Sequence, residues 1–409
     1  MSDFKVLSDK EHCLKRPNMY IGSIDEELID QFVFGKYQSI PYVAGLAKII
    51  NEVIDNAVDE AIRTKFKHAN QIKVDINNHS VTITDNGRGI PQDDVIDTDG
   101  SKIPRPVAAW TKTKAGSNFN DDENRVTIGL NGVGSALTNF FSTKFVGKTC
   151  DGKRTLTVTC VNNSASTSVN IIDKVAPSGT QVTFIPDFDR FGCLDISEEL
   201  QNVIHDRITS LQICYPKIKF KFNGKQILES TFAKYGNLYS DHLVFSKSSN
   251  CNFFIFPSDG YRQNSFVNGV QTKSGGTHTT YIMNMVVENL IPMIKRKYKI
   301  DVPNAMVKVN LGLVVFLNEL SNPKFDSQTK ERLTNSIAEI KRAVVGVDFD
   351  AIAKGILAKD DIINPIIDSI LAKKIAADNR AASLEQKKLA KKKVTGHIKA
   401  NGRTNTTLF

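Results

Sequence analysis

The sequence predicts an α+β protein of two or three domains. Short runs of alternating apolar and polar residues, such as Ile72–Ile76 and Gln181–Ile185, read as half-buried strands. Between them lie stretches with helical spacing, the longest placing Leu46, Ile50, Val53, Ile54, Ala57 and Ala61 on one face. The chain's 409 residues also exceed what one hydrophobic core accommodates.

In chain order, Ser8 with Glu11 forms a capping-box pattern before a short helix that Pro17 ends. Pro41 is expected to open the long helix. Strands at Ile72–Ile76 and Val81–Thr84 flank a polar turn, Asn77–Ser80. The stretch from Asp85 to Gly134 is rich in Gly and Asp and nearly aperiodic, which suits a lid or binding segment. Strands at Leu156–Val161, Ser168–Ile172 and Gln181–Ile185, a helix near Ser197–Ile213 and a strand pair around Ile218–Ile227 complete a first domain, residues 1–228. Its strands should gather in one sheet with helices on one face. A second α+β unit, residues 229–375, has strands at Phe253–Phe256 and Ser265–Val270, a helix at Thr280–Lys297, a largely buried strand at Met306–Asn318 and a helix at Ser327–Val345. Ile363, Ile366, Ile367, Ile370 and Leu371 keep helical spacing around Pro365, and residues 376–409 continue as a basic helical extension.

Composition narrows the function. With 41% hydrophobic and 24% charged residues the chain reads as globular. No stretch has the apolar length to cross a bilayer, and Met1–Lys10 lacks the apolar core of a signal peptide, so a cytoplasmic protein without membrane partners is expected. Six scattered cysteines without a CxxC pair read as reduced thiols, and seven dispersed histidines without HExxH offer no metal site. The net charge of +9 suggests a polyanionic partner. Between Lys373 and Arg403, ten Lys/Arg face only Asp378 and Glu385; a solvated helix face or tail explains that run equally well.

The long helix carries the first chemical signal. Glu52, Asn56 and Asp59 fall at i, i+4 and i+7, within an arc of roughly 60° opposite the apolar stripe. A solvated face is the ordinary fate of such residues. Against it, Asn is a mediocre helix former, and no Lys or Arg follows Glu52 or Asp55 at i+4. A carboxylate and a carboxamide one turn apart suit metal-assisted phosphoryl transfer, because Mg2+ needs few protein oxygens when phosphates supply the others. The carboxylate can then take a proton from an attacking water.

Three loops could meet a nucleotide. Asp85-Asn86-Gly87-Arg88-Gly89-Ile90-Pro91 follows a strand, and Pro91 argues against a simple hairpin at Asn86-Gly87. Asp85 could accept from an adenine amino group, with Gly89 letting the base sit close. Gly129-Leu130-Asn131-Gly132-Val133-Gly134 precedes a helix-like run and could present free N–H groups to phosphate. Ser178-Gly179-Thr180 could add a hydroxyl, although an ordinary turn looks the same. The Gly-Lys-Thr ending of Ser142–Thr149 lacks the first P-loop glycine, and Gly132-x-Gly134 lacks the third Rossmann glycine.

Jointly, these segments resemble the boxes of the GHKL ATPases, the group of gyrase, the mismatch-repair MutL proteins, the Hsp90 chaperones and histidine kinases. Glu52–Glu60, Asp85–Pro91, Gly129–Gly134 and Gly179-Thr180 match the four boxes in order. Within the group the chain resembles type II DNA topoisomerases, and over its whole length their T-even-type bacteriophage members. Arg16-Pro17-Asn18-Met19-Tyr20-Ile21-Gly22-Ser23 is similar to their RPxMYIG segment, Gly275-Gly276-Thr277-His278 to their GGTH, and Gln328-Thr329-Lys330 to their QTK loop.

The resemblance implies a GHKL (Bergerat-type) α/β sandwich followed by a transducer domain like domain 2 of ribosomal S5. It implies ATP and Mg2+ as ligands, with Glu52 as general base, Asn56 as metal ligand and Lys330 on the γ-phosphate beside Gln328. Asp85 would read adenine, helped through water by Thr180, with Asp59, Arg88, Gly89, Ile90 and Pro91 around the nucleotide. Asn131, Gly132, Val133 and Gly134 would cradle the phosphates. Bacterial gyrases have His where Asn131 stands, and Gly116-Ser117-Asn118-Phe119 resembles the eukaryotic lid, which makes Ser117 and Asn118 candidate contacts. ATP would close a homodimer, with Tyr20 reaching the partner's site, around duplex DNA held by phosphate contacts.

Lys295, Arg296, Lys297 and Lys299 would join those contacts, or form only a charged helix end. No EGxSA-like acidic motif or cleavage-tyrosine context is present, so other subunits would supply DNA cleavage. The final Thr406-Thr407-Leu408-Phe409 reads as the start of a strand, as in a truncated piece. Two alternatives are another GHKL machine, of mismatch-repair or chaperone type, and a nucleotide-gated DNA clamp with little turnover.

Overall fold

The structure, a computed structural model, describes residues 6–115, 132–227, 231–327 and 329–391. Helix α1 (Asp9–Lys15) carries the reciprocal Ser8–Glu11 capping box expected of it. A 3-10 turn, Pro17–Met19, leads to a hairpin of β1 (Glu26–Val33) and β2 (Lys36–Val43). Here the expectation for Pro41 is corrected. It lies in β2 opposite Leu28, and the long helix α2 starts only at Ala44 and runs to Arg63. A two-stranded ribbon leaves alternate amides without a partner strand, so a residue lacking N–H is tolerated.

Strands β3 (Gln71–Ile76) and β4 (Val81–Asp85) follow as read from the sequence. The supposedly featureless stretch then holds β5 (Asp94–Ile96), β6 (Lys102–Pro104) and α3 (Arg105–Thr111). Next come α4 (Gly134–Phe140), β7 (Ser142–Cys150), β8 (Thr155–Val161), β9 (Ser166–Ile172) and β10 (Gly179–Pro186). Helix α5 (Glu198–Cys214) and strands β11 (Lys219–Phe222) and β12 (Lys225–Gln226) complete the unit. Its eight-stranded sheet has the order β12-β11-β3-β4-β10-β7-β8-β9, antiparallel except for β11 beside β3. Exposed and buried residues alternate along β3, so one face takes up the core formed with α2, α4 and α5.

The second unit contains α6 (Phe232–Asn237), β13 (Val244–Lys247), β14 (Cys251–Pro257), β15 (Arg262–Val267) and β16 (Val270–Gln271). Then follow α7 (Thr277–Tyr298), α8 (Asn304–Lys308), β17 (Leu311–Leu317), α9 (Ile337–Ala343), α10 (Phe349–Leu357) and α11 (Asp360–Lys391). The sheet order is β13-β14-β17-β15-β16. Both faces of this sheet are covered. Phe254, Phe256, Phe266, Val314 and Phe316 join the first core beside Phe32 and Tyr235, whereas Phe253, Ile255, Leu313, Val315 and Leu317 pack with α7, α10 and α11. Double coverage explains the unbroken apolar run of β17.

Three further expectations are corrected. Met306 and Lys308 are helical, in α8, and the buried strand begins at Leu311. Within Ser265–Val270, Asn268 and Gly269 both have positive φ and form the turn between β15 and β16. The helix expected at Ser327–Val345 exists only from Ile337, where Ser336 and Glu339 form its capping box. Residues 323–335 form a loop instead. Helix α11 is continuous across residue 375, so the expected division there falls inside a helix.

The two units meet through buried polar groups as well as aromatic rings. Tyr235 Oη donates to Asp206 on α5 at 3.3 Å and lies 3.1 Å from Tyr239 Oη, which accepts from Asn264 of β15 at 2.7 Å. Burial pushes the Asp206 carboxyl up to about 7.

Candidate nucleotide site

Helix α2 is buried on nearly every side, not on one stripe. Glu52 is 6% exposed and Asp59 fully buried, whereas Asn56 is exposed at the helix surface. Arg207 of α5 explains part of this: it pairs with Asp55 and donates to Asn51 Oδ1 at 3.1 Å, neutralising the inner side of the helix. Glu52 meets Lys48, one turn earlier, in a 2.6 Å ion pair. Neither basic partner was visible to a search at i+4 alone.

Gly134, the first residue of α4, packs directly on Glu52. A Cβ there would overlap the carboxylate at Oε2. The glycine-rich segment before α4 therefore lets backbone approach an acidic side chain, a need that spacing alone does not reveal. Gly132 adopts φ +60°, and Asn56 Nδ2 donates to Ser135 Oγ at 2.8 Å, joining the carboxamide to the same helix end. Ser117, Asn118, Asn131 and Gln328 lie outside the described residues.

Lys330 arrives from the second unit. It is 5% exposed, has φ +60°, and its charge and that of Glu52 act on each other. Burial pushes the Lys330 ammonium below its ordinary value, with Glu52 opposing. For Glu52, burial pushes upward, but Lys48 and Lys330 prevail and hold the carboxyl below its usual range. It is thus a carboxylate at neutral pH.

The loop bearing Lys330 is anchored by Gly275-Gly276. Leu333 N–H donates to the Gly275 carbonyl at 3.0 Å, and Thr277 N–H to that of Leu333 at 3.2 Å. Gly276 has φ +144°, and a Cβ on it would overlap the Leu333 backbone. Gly22 also touches this loop, with its Cβ position 3.4 Å from Thr329 Cγ2. The two motifs read separately in the second unit are one device, and the N-terminal arm meets it.

At the other end of α2, Asp85 closes β4. Its Oδ1 accepts from Gly87 N–H at 2.7 Å, and burial raises the carboxyl to about 6. Thr180 lies opposite Asp85 in the sheet. Thr149, which sequence reading missed, accepts from Ile90 N–H at 2.8 Å and lies 3.3 Å from Thr180 Oγ1. Gly89 has φ +75° and rests on the Cys150 carbonyl, so the protein's own backbone already requires a glycine there. Arg88 forks onto Glu60, at 2.7 Å from Nε to Oε1 and 3.1 Å from Nη2 to Oε2, and ties the loop containing Pro91 to α2. Tyr20 bonds within its own chain, 2.8 Å from His12 Nδ1.

Residues 43–190 match the family model of histidine kinase-, DNA gyrase B- and HSP90-like ATPases, and residues 223–387 match that of DNA gyrase B. Fold and site thus define a GHKL-type, nucleotide-binding ATPase joined to a gyrase B-type second unit. The chain is 48% identical over its full length to the DNA topoisomerase large subunit of Enterobacteria phage T4, spanning 79% of that relative. It is 33% identical to human DNA topoisomerase 2-beta over 79% of this chain, but spans only 21% of that protein. The crystal structure of the ATPase region of Saccharomyces cerevisiae topoisomerase II matches with a TM-score of 0.79 and 28% identity, covering 90% of this chain and 98% of that one. The ATPase and transducer domains of the Balamuthia mandrillaris enzyme match with a TM-score of 0.80 and 27% identity, covering 91% and 98%. The chain belongs to the type II DNA topoisomerase family and contains its ATPase region. No helix among the described residues is long and apolar enough to cross a membrane.

Proposed function

We propose that this chain is the ATP-driven gate of a type II DNA topoisomerase, closing a homodimer around a duplex when ATP binds and resetting on hydrolysis. One observation carries the reading: Lys330, from the second unit, is buried within electrostatic reach of Glu52 in the first. A γ-phosphate between them favours one interdomain angle, and hydrolysis removes that preference. Glu52 takes a proton from the water attacking the γ-phosphorus as the bond to ADP breaks. Lys330 stabilises the charge on the phosphoryl oxygens. The Gly132–Gly134 backbone cradles the phosphates, with Asn131 and Gln328 alongside.

Asn56 fits Mg2+: its amide nitrogen is committed to Ser135, which orients the carboxamide oxygen as a single ligand. Among the described residues no cluster of three or more His, Cys, Asp or Glu could hold a metal ion, which agrees with an ion brought by the nucleotide. When bound, Mg2+ neutralises phosphate charge. Residues 1–228 form the nucleotide-binding unit, 229–375 the transducer and 376–409 a basic extension. Tyr20 would exchange its His12 partner for the other protomer when the dimer closes.

Asp85 gives a pH signature. Only its carboxylate accepts from the adenine amino group, and its pKa is about 6. Affinity for ATP is therefore expected to fall as pH drops through that value, approaching about tenfold per unit below it. Asp85→Asn should bind weakly at every pH, and a wild-type affinity unchanged between pH 5 and pH 8 (about three units) would remove Asp85 from the adenine contact.

The gate reading itself predicts that linear duplex DNA stimulates ATP hydrolysis, with the effect fading as salt rises. Lys295, Arg296, Lys297 and Lys299 at the end of α7 are candidate phosphate contacts, although Lys295 already pairs with Asp301 at 2.6 Å. Hydrolysis indifferent to DNA at low salt would instead favour another GHKL machine.

A further inference from the structure

Lys48 occupies a place that helix stability does not explain. An exposed Lys–Glu pair with Lys first is the weaker orientation on a helix, and such pairs contribute little in any case. Here the pair is enclosed, with the two side chains 12% and 8% exposed and Nζ 2.6 Å from Glu52 Oε1. Enclosing an ammonium costs free energy that its position in the site must offset.

The other groups facing Glu52 can be enumerated. Oε2 lies against the Gly134 backbone, and α4 carries no charged residue. Arg207 is committed to Asp55 and Asn51. Asp55 and Asp59 share α2 and also act on Lys330. Lys330 is thus the second cation on the carboxylate, and it rides on the loop of the other unit.

We infer that Lys48 is a positioning residue for ATP hydrolysis, holding the Glu52 carboxylate against the Gly134 backbone once Lys330 has turned to the γ-phosphate. The inference rests on the reading of Glu52 as general base. Lys330 cannot direct its charge fully at a phosphate and still orient the base. Lys48, on the same helix as Glu52, does not move with the interdomain angle. With Lys48 absent, the carboxylate is free to follow Lys330 away from the water.

The test is steady-state ATP hydrolysis by the full chain carrying Lys48→Met or Lys48→Arg, with fluorescent-nucleotide binding and thermal unfolding in parallel. Misplacing a base by a fraction of an ångström lowers kcat, so Lys48→Met should lose roughly ten- to a hundredfold in kcat. Its KM should stay within about twofold of wild type, and Lys48→Arg should recover most of the loss. A kcat for Lys48→Met within about twofold of wild type would overturn the inference. So would a raised KM at unchanged kcat, which would make Lys48 a phosphate ligand. If Lys48→Met does not fold, Lys48→Gln and Lys48→Arg carry the same comparison, and equal losses in both also overturn it. Glu52→Gln separates the two levels: if it hydrolyses ATP normally, the base assignment fails whatever Lys48 does.

Discussion

Glu52→Ala is expected to bind ATP and close the dimer yet hydrolyse the nucleotide some hundred- to ten-thousandfold more slowly, the range a positioned general base supplies. The geometry separates these effects. Glu52 touches Lys48 and the Gly134 backbone, so its loss leaves the adenine end, Asp85 with Thr180, untouched. It also leaves Lys48 and Lys330 without an opposing anion, which favours the triphosphate. Affinity should therefore be kept or increased while turnover is lost. Single-turnover hydrolysis beside equilibrium binding checks both halves. Turnover unchanged in this variant would remove Glu52 from the mechanism.

Lys330→Ala is expected to produce the opposite pattern. An ammonium aimed at developing phosphoryl charge in a buried site supplies about a hundred- to a thousandfold in rate. Unlike Glu52, Lys330 also binds the ground state, but only through the γ-phosphate. The variant should therefore lose affinity for ATP and retain it for ADP. Its left-handed backbone, at φ +60°, is a second consideration: alanine is no better suited to that conformation than lysine, so Lys330→Gly is the conservative control for the loop. Equal weakening of ATP and ADP would show that the loop had collapsed instead of losing one contact.

How much of this was legible beforehand varied with the distance over which each interaction acts. The capping boxes at Ser8–Glu11 and the spacing of Glu52, Asn56 and Asp59 are local, and the structure keeps them. The hairpin Glu26–Val43 escaped notice because its outer half is exposed on both faces and so carries no alternation. Pro41 misled because proline opens helices more often than it ends ribbon strands. The Ser327–Val345 run has helical composition, yet its first part is held as a loop by Gly275 and Gly276, some fifty residues earlier in the chain. Lys48 lay one turn before Glu52, where a search for charge at i+4 does not look. Thr149 and Arg207 reach the site through sheet pairing and helix packing, neither of which has a spacing rule. Gly89 was visible as a glycine, but its neighbour, the Cys150 carbonyl, was not.

The central claim is that the γ-phosphate joins Glu52 on one unit to Lys330 on the other and thereby closes the dimer. Multi-angle light scattering with a non-hydrolysable ATP analogue tests it most directly. Wild type and Glu52→Ala should double in molar mass when the analogue is added but not with ADP, and Lys330→Ala should remain monomeric with both. A wild-type mass indifferent to the analogue, or Lys330→Ala dimerising as readily as wild type, would contradict it.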